Sequence, residues 1–203
     1  MSDFKILDCT LRDGGYYTDW NFNKSLVKDL VKSLDNSGVE IIEMGYKSPV
    51  KGGPYRKCND GFIKSVIDFD INAKLAFMID VKDFLAEGEI DTDLMLDVIK
   101  PSNIFKICRV AAKYNEIEYL PEIVNLLQSL GYEVICNIMA TSLLSKDQIQ
   151  DFTNTTEKLN LTAIYIADSY GALYPSDVNK IFNNSKITGI HTHDNMGLAF
   201  ANR

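Results

Sequence analysis

Seven short apolar, β-branched runs recur along the chain, at residues 4–7, 39–44, 73–79, 104–110, 132–138, 161–167 and 187–190. They are continuous rather than alternating, the pattern of parallel strands covered on both faces. Their starts fall about 25–35 residues apart, the period of a strand followed by a helix. The intervening segments read as helices. Residues 24–36 place Leu26, Val27, Leu30, Val31 and Leu34 on one stripe and stop at Gly38. Residues 117–130 carry a second stripe ended by Gly131, and Ser145 with Gln148 has the spacing of a capping box opening a helix that runs to Leu159. No composition shift interrupts this plan, so residues 1–203 read as one domain of repeated βα units.

Such units close into a barrel or spread as an open sheet, and period alone does not separate the two. The polar residues do. Asp8 to Gly15 follow the first expected strand, Glu43 closes the second, Arg109 the fourth, Asp168 and Ser169 the sixth, and His191 to Asn195 the seventh. Polar groups at the C-terminal ends of many strands converge when the strands form a ring. The expected fold class is therefore α/β, a TIM (β/α)8-type barrel of which this chain supplies seven strands.

The 203 residues are 46% hydrophobic, enough to bury a core unaided. A formal net charge of −7 argues against a phosphate-backbone partner, which requires a basic field. Small molecules are the expected partners, with no nucleic acid and no membrane. Cys9, Cys58, Cys108 and Cys136 are widely spaced, with Cys108 and Cys136 inside apolar runs, which reads as a reducing compartment. The N-terminal residues show no leader pattern, so a cytoplasmic location is expected.

His191 and His193 are the only histidines. At i and i+2 on a strand end they point to one face, where a carboxylate would complete a facial two-histidine site for a divalent ion. Two hydrogen-bonded surface histidines are the other reading. The segment 46–61 holds Lys47, Lys51, Arg56 and Lys57, either drawing an anionic substrate or simply solvated. Tyr16, Tyr17 and Trp20 either wall a pocket or pack.

Five motifs then occur in order: LDCTLRDGG at 7–15, IIEMG at 41–45, ICRVA at 107–111, ADSYGALYPSDV at 167–178 and HTHDNMGLAFAN at 191–202. Together they resemble the metal-dependent pyruvate aldolase and hydroxymethylglutaryl-CoA lyase-like superfamily, and the 4-hydroxy-2-oxovalerate aldolase branch most. The resemblance implies a carbon–carbon lyase that acts on a 2-oxo acid, with an aldehyde or acyl acceptor as the second reactant, through a metal-stabilised enolate. It makes Asp13, His191 and His193 the ligands of a magnesium or manganese ion and sets Arg12 against the enolate oxygen, where a planar guanidinium stabilises developing charge. Glu43 matches a position that supports Arg12, an ordinary ion pair being the plainer reading. Arg109 either binds a substrate carboxylate or pairs with an acidic neighbour. Asp168 and Ser169 either position substrate or cap a turn. Asp8 reads as an inward carboxylate on the first strand, and Asp194 and Asn195 as the cap of the next helix.

Within the superfamily a Claisen-type acyl-CoA enzyme is the nearest alternative, and a noncatalytic metal- or ligand-binding barrel is the rival outside it. Two departures from the family pattern stand out. Tyr16 occupies the place, three residues beyond the ligand aspartate, where relatives carry a histidine acid or base. The sequence also runs out before an eighth strand, which predicts a longer chain or completion by another copy in a homo-oligomer.

Overall fold

The computed structural model describes residues 5–183 and 186–202. Residues 1–4, which include Phe4 of the first expected strand and the start of the stretch read for a leader, lie outside the described residues. Two compact units are present: 1–109 with 130–132, and 110–129 with 133–203.

The first unit contains β1 (Leu7–Asp8), α1 (Thr10–Thr18), α2 (Lys24–Asn36), β2 (Ile41–Tyr46), α3 (Pro54–Lys57), α4 (Asp60–Val66) and β3 (Lys74–Asp80). The antiparallel pair β4 (Leu85–Ala86) and β5 (Glu89–Ile90), then α5 (Thr92–Val98) and β6 (Phe105–Ala112) as far as Arg109, complete it. β1 pairs in parallel with β2, and β2 with β3, through Leu7↔Ile41 and Ile42↔Leu75. Every residue of β2 is buried, as a parallel strand covered on both sides requires. Its Gly45 has φ +150°, and a Cβ there would lie 1.9 Å from the Tyr55 carbonyl oxygen of α3. Only glycine lets that helix sit on the strand. Phe77 contacts Phe105 and Tyr132 edge-on, with ring centroids 5.3 and 5.2 Å apart, each such pair adding about 0.5–1.5 kcal/mol to simple burial.

α2 has the expected bounds. The Asn23 side chain accepts from the Ser25 and Leu26 amides, and Gly38 follows the helix at φ +81°. Its buried stripe is narrower than expected, with Val27 and Val31 inside and Leu26 exposed. The first βα connection departs most from expectation. Thr10–Thr18 is an α-helix starting two residues after β1, with the Asp8 carboxylate accepting from the Thr10 amide and hydroxyl. Arg12 is thus carried on a helix rather than on the strand that holds Asp8.

The basic segment after β2 is neither a free cationic surface nor simply solvated. Lys47 Nζ is buried on Asp60 Oδ1 at 3.0 Å, and Arg56 stacks on Trp20 at 4.3 Å. Lys57 Nζ donates to the carbonyl oxygens of Ser48, Pro49 and Val50 at 2.9, 3.0 and 2.9 Å. Three of the four cations are engaged within the fold.

The second unit begins within β6 at Val110. It continues with a 3-10 turn (Tyr114–Tyr119), α6 (Leu120–Ser129), β7 (Glu133–Ile138), α7 (Lys146–Thr156), β8 (Ala163–Asp168), α8 (Pro175–Asn183), β9 (Gly189–Thr192) and α9 (Ala199–Asn202). β7, β8 and β9 pair in parallel through Ile135↔Ala163 and Tyr165↔Gly189. The expected helix over 117–130 becomes α only from Leu120, where Pro121 in the first turn has no N–H to leave unsatisfied. The Ser145–Gln148 capping box is present in both directions, at 3.2 and 2.9 Å. α7 ends at Thr156 rather than Leu159, its last turn weakened by Thr153 and Thr156 hydroxyls that bond back to the Ile149 and Phe152 carbonyls. All seven expected strands occur. No helix among the described residues is long and apolar enough to cross a membrane.

Candidate active site

In the first unit the end of β1, helix α1 and strands β2 and β6 build a charged cluster. Glu43, midway along β2, accepts at Oε2 from Arg12 Nε and Arg109 Nη1, both at 2.9 Å, and the side chains of Glu43 and Arg109 are wholly buried. Arg12 Nη1 also donates to Asp13 Oδ1. Two cations and two anions therefore sit together with no formal net charge. Burial works against the Arg12 charge, but Glu43 first, then Tyr46, Asp13 and Cys9, raise its guanidinium above the ordinary range. The Cys9 thiol donates to Asp13 Oδ2 at 3.3 Å, and burial reinforced by Glu43 pushes it up to about 12.

Tyr16 lies one turn beyond Arg12 and Asp13 on α1, the spacing that puts i, i+3 and i+4 on a common face. Its hydroxyl is 2.9 Å from that of Tyr46 at the end of β2. Tyr46 was not among the residues singled out from sequence. In the sequence the apolar run stops at Met44, whereas in the structure Gly45 and Tyr46 continue the strand. Trp20 is buried, whereas Tyr17 is exposed and lines no interior surface.

In the second unit, β9 carries His191, and His193 follows its end. Their Nε2 atoms are 3.3 Å apart with rings edge to face. His193 Nδ1 donates to the Asp168 carbonyl oxygen at 2.9 Å. Because a carbonyl only accepts, Nδ1 is the donor in this contact, which orients the ring and leaves Nε2 as the nitrogen able to bind a metal. The donor chemistry of the histidine pair suits a divalent ion. The Asp168 carboxylate is buried and accepts from the Ala172 and Leu173 amides at 2.8 and 3.1 Å, and Ser169 Oγ accepts from the Ala140 amide. Both side chains are thereby occupied in shaping turns. Asp194 Oδ1 accepts from the Ala199 amide at the start of α9. Gly171, at φ +58°, leaves room for the Asn195 side chain, whose Oδ1 would lie 2.6 Å from an added Cβ.

Comparison with known proteins gives a consistent picture. The HMGL-like family model matches residues 3–203. A 4-hydroxy-2-oxovalerate aldolase from Geobacillus genomosp. 3 is 28% identical over 203 residues, covering 98% of this chain and 59% of that protein. The chain thus spans about three fifths of that curated relative. Among solved structures, the N-terminal domain of an aldolase-like protein from Bacteroides vulgatus superposes with a TM-score of 0.83 at 25% identity, covering 98% of this chain and 67% of the other. The HMG-CoA lyase of Bacillus subtilis does so with a TM-score of 0.67 at 15% identity, covering 98% and 70%. The fold is of the TIM-barrel type, with seven parallel strands alternating with helices.

Proposed function

The chain belongs to the HMGL-like family, and on that footing we propose that it is a divalent-metal-dependent carbon–carbon lyase acting on a 2-oxo acid through its enolate. The observation that carries this reading is the fixation of Arg12. Its Nε is held on the buried Glu43 carboxylate while its neighbour on α1 is Asp13. A guanidinium locked in this way needs no reorganisation as negative charge develops on a substrate oxygen, which is the source of large electrostatic rate effects.

In this reading Asp13, His191 and His193 hold one magnesium or manganese ion, a two-nitrogen, one-carboxylate donor set with positions open to substrate. Such an ion would polarise the 2-oxo group and neutralise part of the enolate charge. The chain's own contributions are distinct from that. Arg12 binds the enolate oxygen, Glu43 and Arg109 keep Arg12 in place, and Tyr16 handles a proton. Asp168 acts through His193, since its carbonyl orients the imidazole, and Ser169 shapes the adjoining turn.

The test is turnover of 4-hydroxy-2-oxovalerate with manganese, following pyruvate release. Activity that appears with the ion and disappears with a chelator is expected. No pyruvate from this or any 4-hydroxy-2-oxo acid, with metal bound, would defeat the reading.

A further inference from the structure

Tyr16 and Tyr46 face each other through their hydroxyls at 2.9 Å, yet their surroundings are opposite. Tyr46 is 5% exposed and Tyr16 64%. Trp20 stands edge-on to both rings, with centroids 4.8 Å from Tyr16 and 5.6 Å from Tyr46. Its Nε1–H is tied to the Arg12 carbonyl oxygen at 3.0 Å. The aromatic spacer of the phenol pair is thus anchored to the residue that carries the site's guanidinium. Gly15 makes this possible, because a Cβ there would fall 2.1 Å from the Trp20 ring.

The two phenols have different capacities. Burial holds Tyr46 in its neutral form, raised above the ordinary phenol range, and the nearby Arg12 charge only partly opposes this. A buried phenol that keeps its proton serves its neighbour best as a hydrogen-bond donor. When the Tyr46 hydroxyl donates to Tyr16 Oη, the Tyr16 proton is directed outward. Charge left on Tyr16 Oη as that proton departs then meets a donor already in place.

Resting on the lyase reading above, we propose that Tyr46 is a positioning residue that sets the Tyr16 hydroxyl as proton donor to the enolate carbon. The carbon–carbon bond breaks with its electron pair passing to the 2-oxo fragment, and the proton of the 4-hydroxyl group leaves to solvent as the aldehyde forms. The enolate C3 then takes the Tyr16 proton, closing a C–H bond and yielding pyruvate. Water reprotonates the Tyr16 oxygen, so protons balance over the cycle.

The test is exchange of the pyruvate methyl protons in deuterated water with manganese present, measured by NMR for the parent, Tyr16→Phe, Tyr46→Phe and the double variant. Tyr16→Phe should slow exchange by on the order of 10². Tyr46→Phe should slow it by about tenfold, with the half-saturating pyruvate concentration unchanged. Because Tyr46 acts through Tyr16, the double variant should be no slower than Tyr16→Phe alone. A packing defect from the lost hydroxyl would instead add to the Tyr16 effect, so a double variant slower by the product of the two single effects overturns the proposal. Parent-like exchange by Tyr46→Phe also overturns it while leaving the lyase reading intact. No exchange by the parent protein removes both.

Discussion

Arg12 and Glu43, 31 residues apart in sequence, are joined by a 2.9 Å hydrogen bond from Nε to Oε2, with the Glu43 side chain fully enclosed. The same oxygen receives Arg109, so one carboxylate holds two guanidinium groups away from bulk water. Replacing Glu43 by Gln keeps the shape and removes the charge that balances both. Leaving buried charge uncompensated costs about 3–5 kcal/mol. Glu43→Gln should therefore lower the denaturant midpoint by a corresponding amount, and adding Arg109→Met should recover part of the loss. An unchanged midpoint would mean the cluster is not energetically coupled.

Arg12→Lys retains a charge but loses the planar fork that reaches Glu43 and Asp13 together. Pyruvate formation should fall by about 10²–10³. Manganese affinity should change little, which calorimetry checks on the same protein.

His191→Ala and His193→Ala should each abolish manganese binding measurable by calorimetric titration, since each removes one of the two Nε2 donors that lie 3.3 Å apart. Retention of parent-like affinity by both would exclude these residues as ligands.

Gly45→Ala tests close packing in the first unit. The added methyl meets the Tyr55 carbonyl at 1.9 Å, and φ is +150°, so both sterics and backbone oppose it. A loss of about 1–3 kcal/mol or more is expected in chemical denaturation.

Alkaline pH should weaken the fold. Burial, with Glu43 adding at Cys9, pushes the Cys9 thiol from 9.0 to about 12, and burial pushes Cys136 over the same range and Tyr55 from 10.0 to about 12. Each group holds its proton more tightly folded than unfolded, so the folded state binds more protons in that window. Stability is fully present below about pH 9 and declines as pH rises from 9 toward 12. Denaturant midpoints across that range, read beside the ultraviolet signal of tyrosinate, follow the decline.

The strand-and-helix plan was legible because its signals are local. Continuous apolar runs mark buried parallel strands, and Gly38 and the Ser145–Gln148 pair sit at helix ends where short-range hydrogen bonds decide the outcome. What escaped depended on distant partners. The helix over Thr10–Thr18 contains two adjacent glycines, which argue against helix from propensity alone, yet the Trp20 ring needs the empty face of Gly15. Lys47, Arg56 and Lys57 read as one basic patch because charge is visible in sequence and its neutralisation is not. Tyr46 was missed for a similar reason, as nothing local announces a hydroxyl partner 30 residues earlier. Arg109 stays open between two roles in the sequence because its partner Glu43 lies 66 residues away.

The Lys57 ammonium, ringed by three backbone carbonyls, does for the segment after β2 what a bound ion does for many loops. The difference lies in stoichiometry. A tethered cation is always present at one equivalent, arrives with the chain as it folds and cannot be stripped by chelation or dilution. If the histidine pair binds the proposed ion, stripping that ion should leave the chain path over Ser48, Pro49 and Val50 in its assembled form.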